Sequence, residues 1–372
     1  MEALLVENEK LKQEIKRLTE QLMRKKDSDS DSETVVQLAC GLKHSLVLFK
    51  DGTIKGWGDN TYGQSQAQSF STEGRKAIQI ACGRNHSMAL LDDGTLRGWG
   101  DGLVTLNKEV EDKKLVKITK NLLEFPEFPR KVIRIICGGF SSCALLEDKR
   151  TVVTWGIPIP REKNTTFVYD KDVKQIECGG LEYFIALFED GAIKIHGYFG
   201  NRSVQVTEDL LNYIGEHKRI KRIACGWQFF LALSDEKFRA YGSNLYISSV
   251  EIQDQIPERE KNITHFECGN EYCVVIIDNN YIRIIGKEFR EKYIDSDDPS
   301  YLYNYDKSNF SVESNVVHLA CGPQHFTILL ENGDFISYGL NDSGQCNKPA
   351  FLPARSFKKK YLKYKNKYLQ LK

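Results

Sequence analysis

Along the largely apolar Val35–Cys40 (VVQLAC), Val35, Gln37 and Ala39 alternate with Val36, Leu38 and Cys40, the period of a strand with two different faces. Cys40-Gly41 breaks the pattern, because glycine reaches backbone angles closed to other residues. His44–Phe49 is a second, almost wholly apolar run, and Thr53–Trp57 is a third that ends at Gly58. Asp51-Gly52 lies between them and predicts a two-residue hairpin turn with positive φ at both places. Val35–Gly58 therefore reads as three short antiparallel strands.

The same unit recurs seven times, with Cys-Gly pairs starting at Cys40, Cys82, Cys137, Cys178, Cys225, Cys268 and Cys321. The closing glycines are Gly58, Gly100, Gly156, Gly197, Gly242, Gly286 and Gly339, always 17 to 19 residues after the cysteine. From one cysteine to the next the spacing ranges from 41 to 55. A fixed unit with elastic connections marks a repeat architecture, since insertions go to loops. Units of this size, each with three or four short strands, predict an all-β fold, a seven-bladed β-propeller. The repeats run over about 35–76, 77–131, 132–172, 173–218, 219–261, 262–314 and 315–353, within a propeller spanning 35–354. First and last repeats are both nearly whole, so a strand shared between the two ends could close the ring.

Three repeats carry a pattern of the form ACGxxHSxAL, DGxxxxWG and NxxGQ. The matches are Ala39–Leu46 with Asp51–Gly58 and Asn60–Gln64, Ala81–Ala89 with Asp93–Gly100, and Ala320–Gly322, His325 and Asn341–Gln345. This resembles the regulator of chromosome condensation repeat family, and the resemblance implies the seven-bladed propeller. Repeats three to six lack the His-Ser pair and the Gly-Gln turn. The family serves many unrelated tasks, so the resemblance implies a fold more than a function. In such repeats the histidine is expected to brace the Cys-Gly turn. In the plant ultraviolet photoreceptor of the family, tryptophans follow Cys-Gly on successive blades; here only Trp227 does, which argues against light sensing.

The ends differ from the ring. In residues 1–26, Leu4, Leu11 and Leu18 occupy one heptad position and Asn8, Ile15 and Leu22 the other. Leucine at d with Ile and one Asn at a predicts a parallel two-stranded coiled coil, hence a homodimer. The alternative is a helix that packs on its own ring. Residues 27–34, DSDSDSET, read as an acidic disordered linker. Residues 355–372 carry eight bases and no acid. Tyr361, Tyr364, Tyr368 and Leu371 form a helical stripe among those lysines, so a basic helix or tail could meet an anionic partner. The Tyr/Lys ending is similar to C-terminal tails of mimivirus-group giant-virus proteins, which implies a viral protein of host cytoplasm or virion.

The net charge of the chain is +1, but the ring alone carries −5 once both ends are set aside. A mildly acidic ring is a poor phosphate binder. Ten cysteines without a CxxC pair, seven of them at matched places of different repeats, predict buried thiols in a reducing, cytoplasmic compartment. Equivalent places in a ring are too far apart to bond one another. No run of 18 apolar residues occurs, so no membrane span is expected.

No HExxH, GxSxG or GxxxxGK[ST] pattern is present, and no catalytic residue, metal or cofactor is predicted. The protein is expected to be a non-enzymatic protein–protein interaction scaffold. Residues that follow Cys-Gly vary at matched places beside a fixed framework, which is how loops carry specificity. Arg84, Phe140, Leu181, Trp227 and Asn270 are the candidate partner-binding residues, with the aromatic and arginine character of binding anchors. The family's founding member implies an alternative, guanine nucleotide exchange on a small GTPase. A second alternative is a chromatin or nucleic-acid adaptor acting through the tail. Of two long insertions, 102–131 could protrude, and 287–315, with tyrosines among aspartates, could bind or only cover the blade edge.

Overall fold

Each run of the repeated unit is a strand, and each unit folds on itself. The computed structural model describes residues 13, 16–17, 34–110, 114–121, 123–139, 141–156, 166–180, 183–197, 219–234, 238–242, 262–286, 309–349 and 351. The heptad residues Leu4, Asn8, Leu11, Ile15, Leu18 and Leu22, the acidic stretch 27–33 and the basic tail lie outside these.

Blade one is β1 (Val35–Cys40), β2 (His44–Phe49) and β3 (Ile54–Gly58). Blade two is β4 (Ala77–Cys82), β5 (His86–Leu91) and β6 (Leu96–Gly100), followed by a hairpin of β7 (Leu103–Val110) and β8 (Lys114–Asn121). That hairpin fills most of the first insertion. Blade three is β9 (Val132–Cys137), β10 (Ser141–Leu146), β11 (Thr151–Gly156) and β12 (Thr166–Val168). Blade four is β13 (Val173–Cys178), β14 (Tyr183–Phe188) and β15 (Ile193–Gly197). Blade five is β16 (Ile220–Cys225), β17 (Phe229–Ser234) and β18 (Phe238–Gly242). Blade six is β19 (Ile263–Cys268), β20 (Tyr272–Ile277), β21 (Tyr281–Gly286) and β22 (Asn309–Ser311). Blade seven is β23 (Val316–Cys321), β24 (His325–Leu330) and β25 (Phe335–Gly339). Each sheet is antiparallel and built of consecutive strands.

The middle strands show why the blades need one another. β2, β5, β10, β14, β20 and β24 are buried along their whole length. A strand covered on both faces loses its alternation and reads as a continuous apolar run. The covering is done by neighbours. Among the described residues there are seven apolar clusters, and each straddles one junction between adjacent blades. The junction of blades seven and one has its own: Leu38, Val47, Phe49 and Trp57 pack with Ala320 and Leu329. The ring is therefore closed. Blades one and seven are each complete in themselves, so no strand is shared among the described residues; side-chain packing closes the seam instead.

The hairpin turns differ from the sequence expectation. Phe49 N donates to Thr53 O at 2.9 Å, which leaves three residues in the turn, and only Gly52 has positive φ (+90°). Asp51 instead accepts from Thr53 N at 2.8 Å. This is a type I turn followed by a left-handed glycine, the form a three-residue hairpin takes. Positive φ at two successive places occurs in blade six, at Asp278 and Asn279, where no glycine is present.

The closing glycines are required by the backbone. All seven have positive φ, from +88° at Gly58 to +137° at Gly242. A methyl group at Gly339 would also lie 2.3 Å from the Gln324 carbonyl oxygen. All ten cysteines are free thiols. Cys40 donates to Ala320 O of the preceding blade at 3.4 Å, the role of a small residue at a junction. Cys143 Sγ lies 3.0 Å from Cys178 Sγ across blades three and four, a neighbour the repeat register did not reveal because Cys143 sits in a middle strand.

Candidate functional site

The residue that opens each middle strand decides how one blade holds the next. In ring order it is His44, His86, Ser141, Tyr183, Phe229, Tyr272 and His325. His44 Nε2 is 2.9 Å from Ser87 Oγ of blade two, and His325 Nε2 is 2.7 Å from Ser45 Oγ of blade one. Tyr272 reaches further, donating to Gly322 O at 2.8 Å and His325 O at 2.7 Å in blade seven. Tyr183 does the same with Gly226 O and Phe229 O of blade five. The choice follows the neighbour. Where it offers Ser87 or Ser45, the histidine meets the hydroxyl; where it offers Phe230 or Phe326, the phenol passes to backbone carbonyls. His86 Nε2 and Ser142 Oγ are both buried without a hydrogen-bond partner among the described residues. The His44 and His325 side chains thus brace the next blade and not their own turns, which are closed by backbone (Gly41 N to His44 O, 2.8 Å; Gly322 N to His325 O, 2.7 Å).

Glycine after the cysteine is what lets that ring pass. A methyl at Gly41 would stand 2.1 Å from His44 Cε1, and one at Gly179 would stand 1.8 Å from Tyr183 Cε1. Burial holds the histidines neutral: His44 falls to about 3, and His86 and His325 to about 4. None has the near-neutral pKa a general base needs.

A second inter-blade device lies one strand further in. Gln37 donates Nε2 to Ile80 O at 2.9 Å while its Oε1 accepts from Ile80 N at 2.8 Å. Gln79 clamps Ile135 and Gln175 clamps Ile223 in the same two-way manner. The signal was present in the sequence as a glutamine three residues before cysteine in repeats one, two and four, but alternation alone did not reveal its role.

The first strands surround a central channel with a cavity of about 520 Å³, whose lining draws on all seven blades. Glu177 and Glu267 both face it. Arg222 Nη2 sits 3.0 Å from Glu267 Oε1, and Gln175 Nε2 donates to Glu177 Oε1 at 2.9 Å. Burial, and then the charge of Glu267, raise the Glu177 carboxyl to about 8, so it is mostly protonated at neutral pH.

The Cys-Gly loops ring one mouth of this channel and hold each other by backbone hydrogen bonds. Leu42 N donates to Arg84 O (3.2 Å), Gly180 N to Gly226 O (3.0 Å), Trp227 N to Asn270 O (3.2 Å) and Asn270 N to Pro323 O (3.1 Å). Of the candidate binding residues, Trp227 and Asn270 are brought into direct contact. Arg84 stands exposed on blade two across the mouth, and with Asn270 lines the channel. Phe140 and Leu181 lie outside the described residues. Trp227 is half-buried, and its indole occupies the space a side chain at Gly180 would need, 2.3 Å from Cε3. One part of that ring is thereby spent on blade four.

In blades seven, one and two the loop after the third strand completes the frame. Trp57 Nε1 donates to Gln345 O at 2.8 Å, and Trp99 Nε1 to Gln64 O at 3.1 Å. Each NxxGQ turn therefore receives the indole of the following blade. Blade two lacks that turn, and Phe125 and Phe128 stand edge-on to Trp155 in its place, at 6.0 and 5.9 Å. In blade four His196 takes the tryptophan place, stacked on Phe184 at 4.8 Å.

Residues 35–64, 77–103 and 316–345 match the family model described as Regulator of chromosome condensation (RCC1) repeat. These are repeats one, two and seven, the ones with the His; repeats one and seven also have the Gly-Gln turn. The fold is similar to the CRINKLY WD40 ectodomain of the Arabidopsis thaliana receptor kinase ACR4, at 15% identity over 86% of this chain and 98% of that one, with a TM-score of 0.56. It is similar to the entire ectodomain of the Physcomitrella patens receptor kinase CR4, at 14% identity over 82% of this chain and 74% of that one, TM-score 0.56. It is also similar to Prp20p from Saccharomyces cerevisiae, a structure described with its binding properties to Gsp1p and histones, at 17% identity over 89% of this chain and 86% of that one, TM-score 0.55. At such identities the likeness is one of fold.

Proposed function

We propose that this ring, with RCC1-type repeats at its seam, is a non-enzymatic protein–protein interaction scaffold whose partner docks on the Cys-Gly loops. The observation that carries the reading is the mutual bracing of those loops. Their backbones are tied to one another around one mouth, while the residues they present differ from blade to blade. A rigid frame with variable tips loses little entropy on binding. Arg84, Trp227 and Asn270 are the described members of the surface; Phe140 and Leu181 belong to it by repeat position. Residues 1–26 would pair two rings and raise avidity by effective concentration.

The test is affinity capture from the producing cell with wild-type chain, Arg84→Ala and Trp227→Ala, alongside thermal melting. Loss of one retained protein without a change in melting supports the surface; unchanged capture removes it. If Trp227→Ala lowers melting, Arg84→Ala alone decides.

The alternative reading, guanine nucleotide exchange on a small GTPase, is favoured by the likeness to Prp20p, described with its binding to Gsp1p. Nucleotide release from a small-GTPase panel separates it from a scaffold. The same description mentions histones, and an adaptor role through residues 355–372 would appear as salt-dependent DNA binding lost with the tail.

A further inference from the structure

The other end of the channel carries a feature no repeat motif announces. Every first strand has a register shift against its middle strand near its start: between Val35 and Gln37, Ala77 and Gln79, Val173 and Gln175, Ile220 and Arg222, Ile263 and His265, and Val316 and His318. In blade three the shift falls opposite Leu145 and Leu146 and leaves Ile133 over. A bulge re-aims the extra residue out of the ladder. The bulged residues are Val36, Ile78, Ile133, Lys174, Lys221, Thr264 and Val317, one per blade.

They form two sectors. Val317, Val36, Ile78 and Ile133 come from the consecutive blades seven, one, two and three, and are 38, 40, 54 and 41% exposed. Among the described residues only six large apolar side chains are exposed, and these are four of them. Scattered surface apolar residues need no explanation, but four at matched places of consecutive blades do. Ile78 and Ile133 line the channel. Lys174 and Lys221, both exposed, continue the circle on blades four and five. Exposed Arg134 stands between the sectors and donates Nη1 to Lys174 O at 3.1 Å. Outside the circle the turns carry ion pairs, Arg75–Asp93 at 3.1 Å, Arg130–Asp148 at 3.9 Å, Arg150–Asp172 at 2.7 Å and Lys171–Asp190 at 2.6 Å. An apolar centre inside a polar rim is the anatomy of a protein-binding patch.

We propose that this end of the channel binds a peptide segment of a partner protein in which large apolar side chains stand beside carboxylates. The apolar sector takes the side chains, and Arg134, Lys174 and Lys221 meet the acids. Charge complementarity selects this occupant, because a segment with basic flanks would face three cations. The surface lies at the opposite end of the first strands from the Cys-Gly loops, so the two sites fail independently.

The test is fluorescence anisotropy of the full chain with a fluorescein-labelled peptide alternating Leu and Glu, against controls alternating Leu and Lys, and Ser and Glu. The Leu-Glu peptide should bind, and both controls should bind at least about tenfold more weakly. Ile78→Asp with Ile133→Asp, and separately Lys174→Glu with Lys221→Glu, should each weaken it about tenfold with melting unchanged. Arg84→Ala should leave it intact. These residues are exposed, so the variants fold; should the aspartates lower melting, Ile78→Ser with Ile133→Ser replaces them. Equal binding of all three peptides overturns the proposal, as does binding indifferent to both pairs of substitutions. A ring-to-ring dimer dispersed by the aspartates would also overturn it, with a second copy as occupant.

Discussion

His325 Nε2 lies 2.7 Å from Ser45 Oγ, across 280 residues of chain. The pair joins the last blade to the first, and both side chains are fully buried. Ser45→Ala would leave a buried imidazole nitrogen without a partner, at a cost of roughly 1–3 kcal/mol. Chemical denaturation should show that loss. His325→Ala in the Ser45→Ala background should cost less than in wild type, because the two share one interaction. Additive effects would mean that the seam does not depend on this contact.

Acid should loosen the ring. His44, His86 and His325 are held neutral by burial, at about 3, 4 and 4, against an ordinary value of 6.5. The unfolded chain takes up protons that the fold refuses, so stability is complete above about pH 6.5 and drains away toward pH 4. The slope is roughly 1.4 kcal/mol per pH unit for each histidine. Urea midpoints measured from pH 7 to 4.5 should fall in that window, and His86→Gln should make the fall shallower.

Glu177 acts in the opposite direction. Its carboxyl is raised to about 8, so the fold prefers the protonated form. That preference stabilises fully below the ordinary carboxylate range and is lost as pH rises through 8. Glu177→Gln imitates the protonated state. It should raise the melting temperature at pH 9 and change it little at pH 5, and equal effects at both would exclude titration as the cause.

Gly41→Ala tests the space left for the bracing ring. The added methyl would meet His44 Cε1 at 2.1 Å, so the imidazole must leave its rotamer and release Ser87. The expected loss is about 2 kcal/mol or more. Gly74→Ala is a control for glycine replacement in general; it has positive φ (+68°), which Gly41 has not, and nothing lies within 4 Å of the added group.

The blades were legible because burial writes itself into sequence. His44–Phe49 is apolar throughout since both faces are covered, and Gly58 recurs since the chain needs positive φ there. What holds blade to blade was only half legible. His44 and Tyr183 do the same work with different chemistry, so they share no letter, and the partner that selects between them is one repeat away. Gln37, Gln79 and Gln175 recur but look like ordinary polar positions of an alternating strand. The bulges left no trace, because an extra residue such as Ile78 keeps the apolar run looking continuous. Of the candidate surface, the loop positions were found by register, but the packing of Trp227 on Gly180 was not visible without the neighbouring blade.

Hydrogen exchange of the intact chain, followed by mass spectrometry, tests most directly whether seven blades close into one ring. Closure by Ser45, Trp57, His325 and Gln345 predicts that β1–β2 and β23–β24 exchange as slowly as the pairs β4–β5 and β19–β20 inside the ring. Fast exchange confined to β1–β2 and β23–β24 would show an open stack with two free ends, and would contradict the closed scaffold.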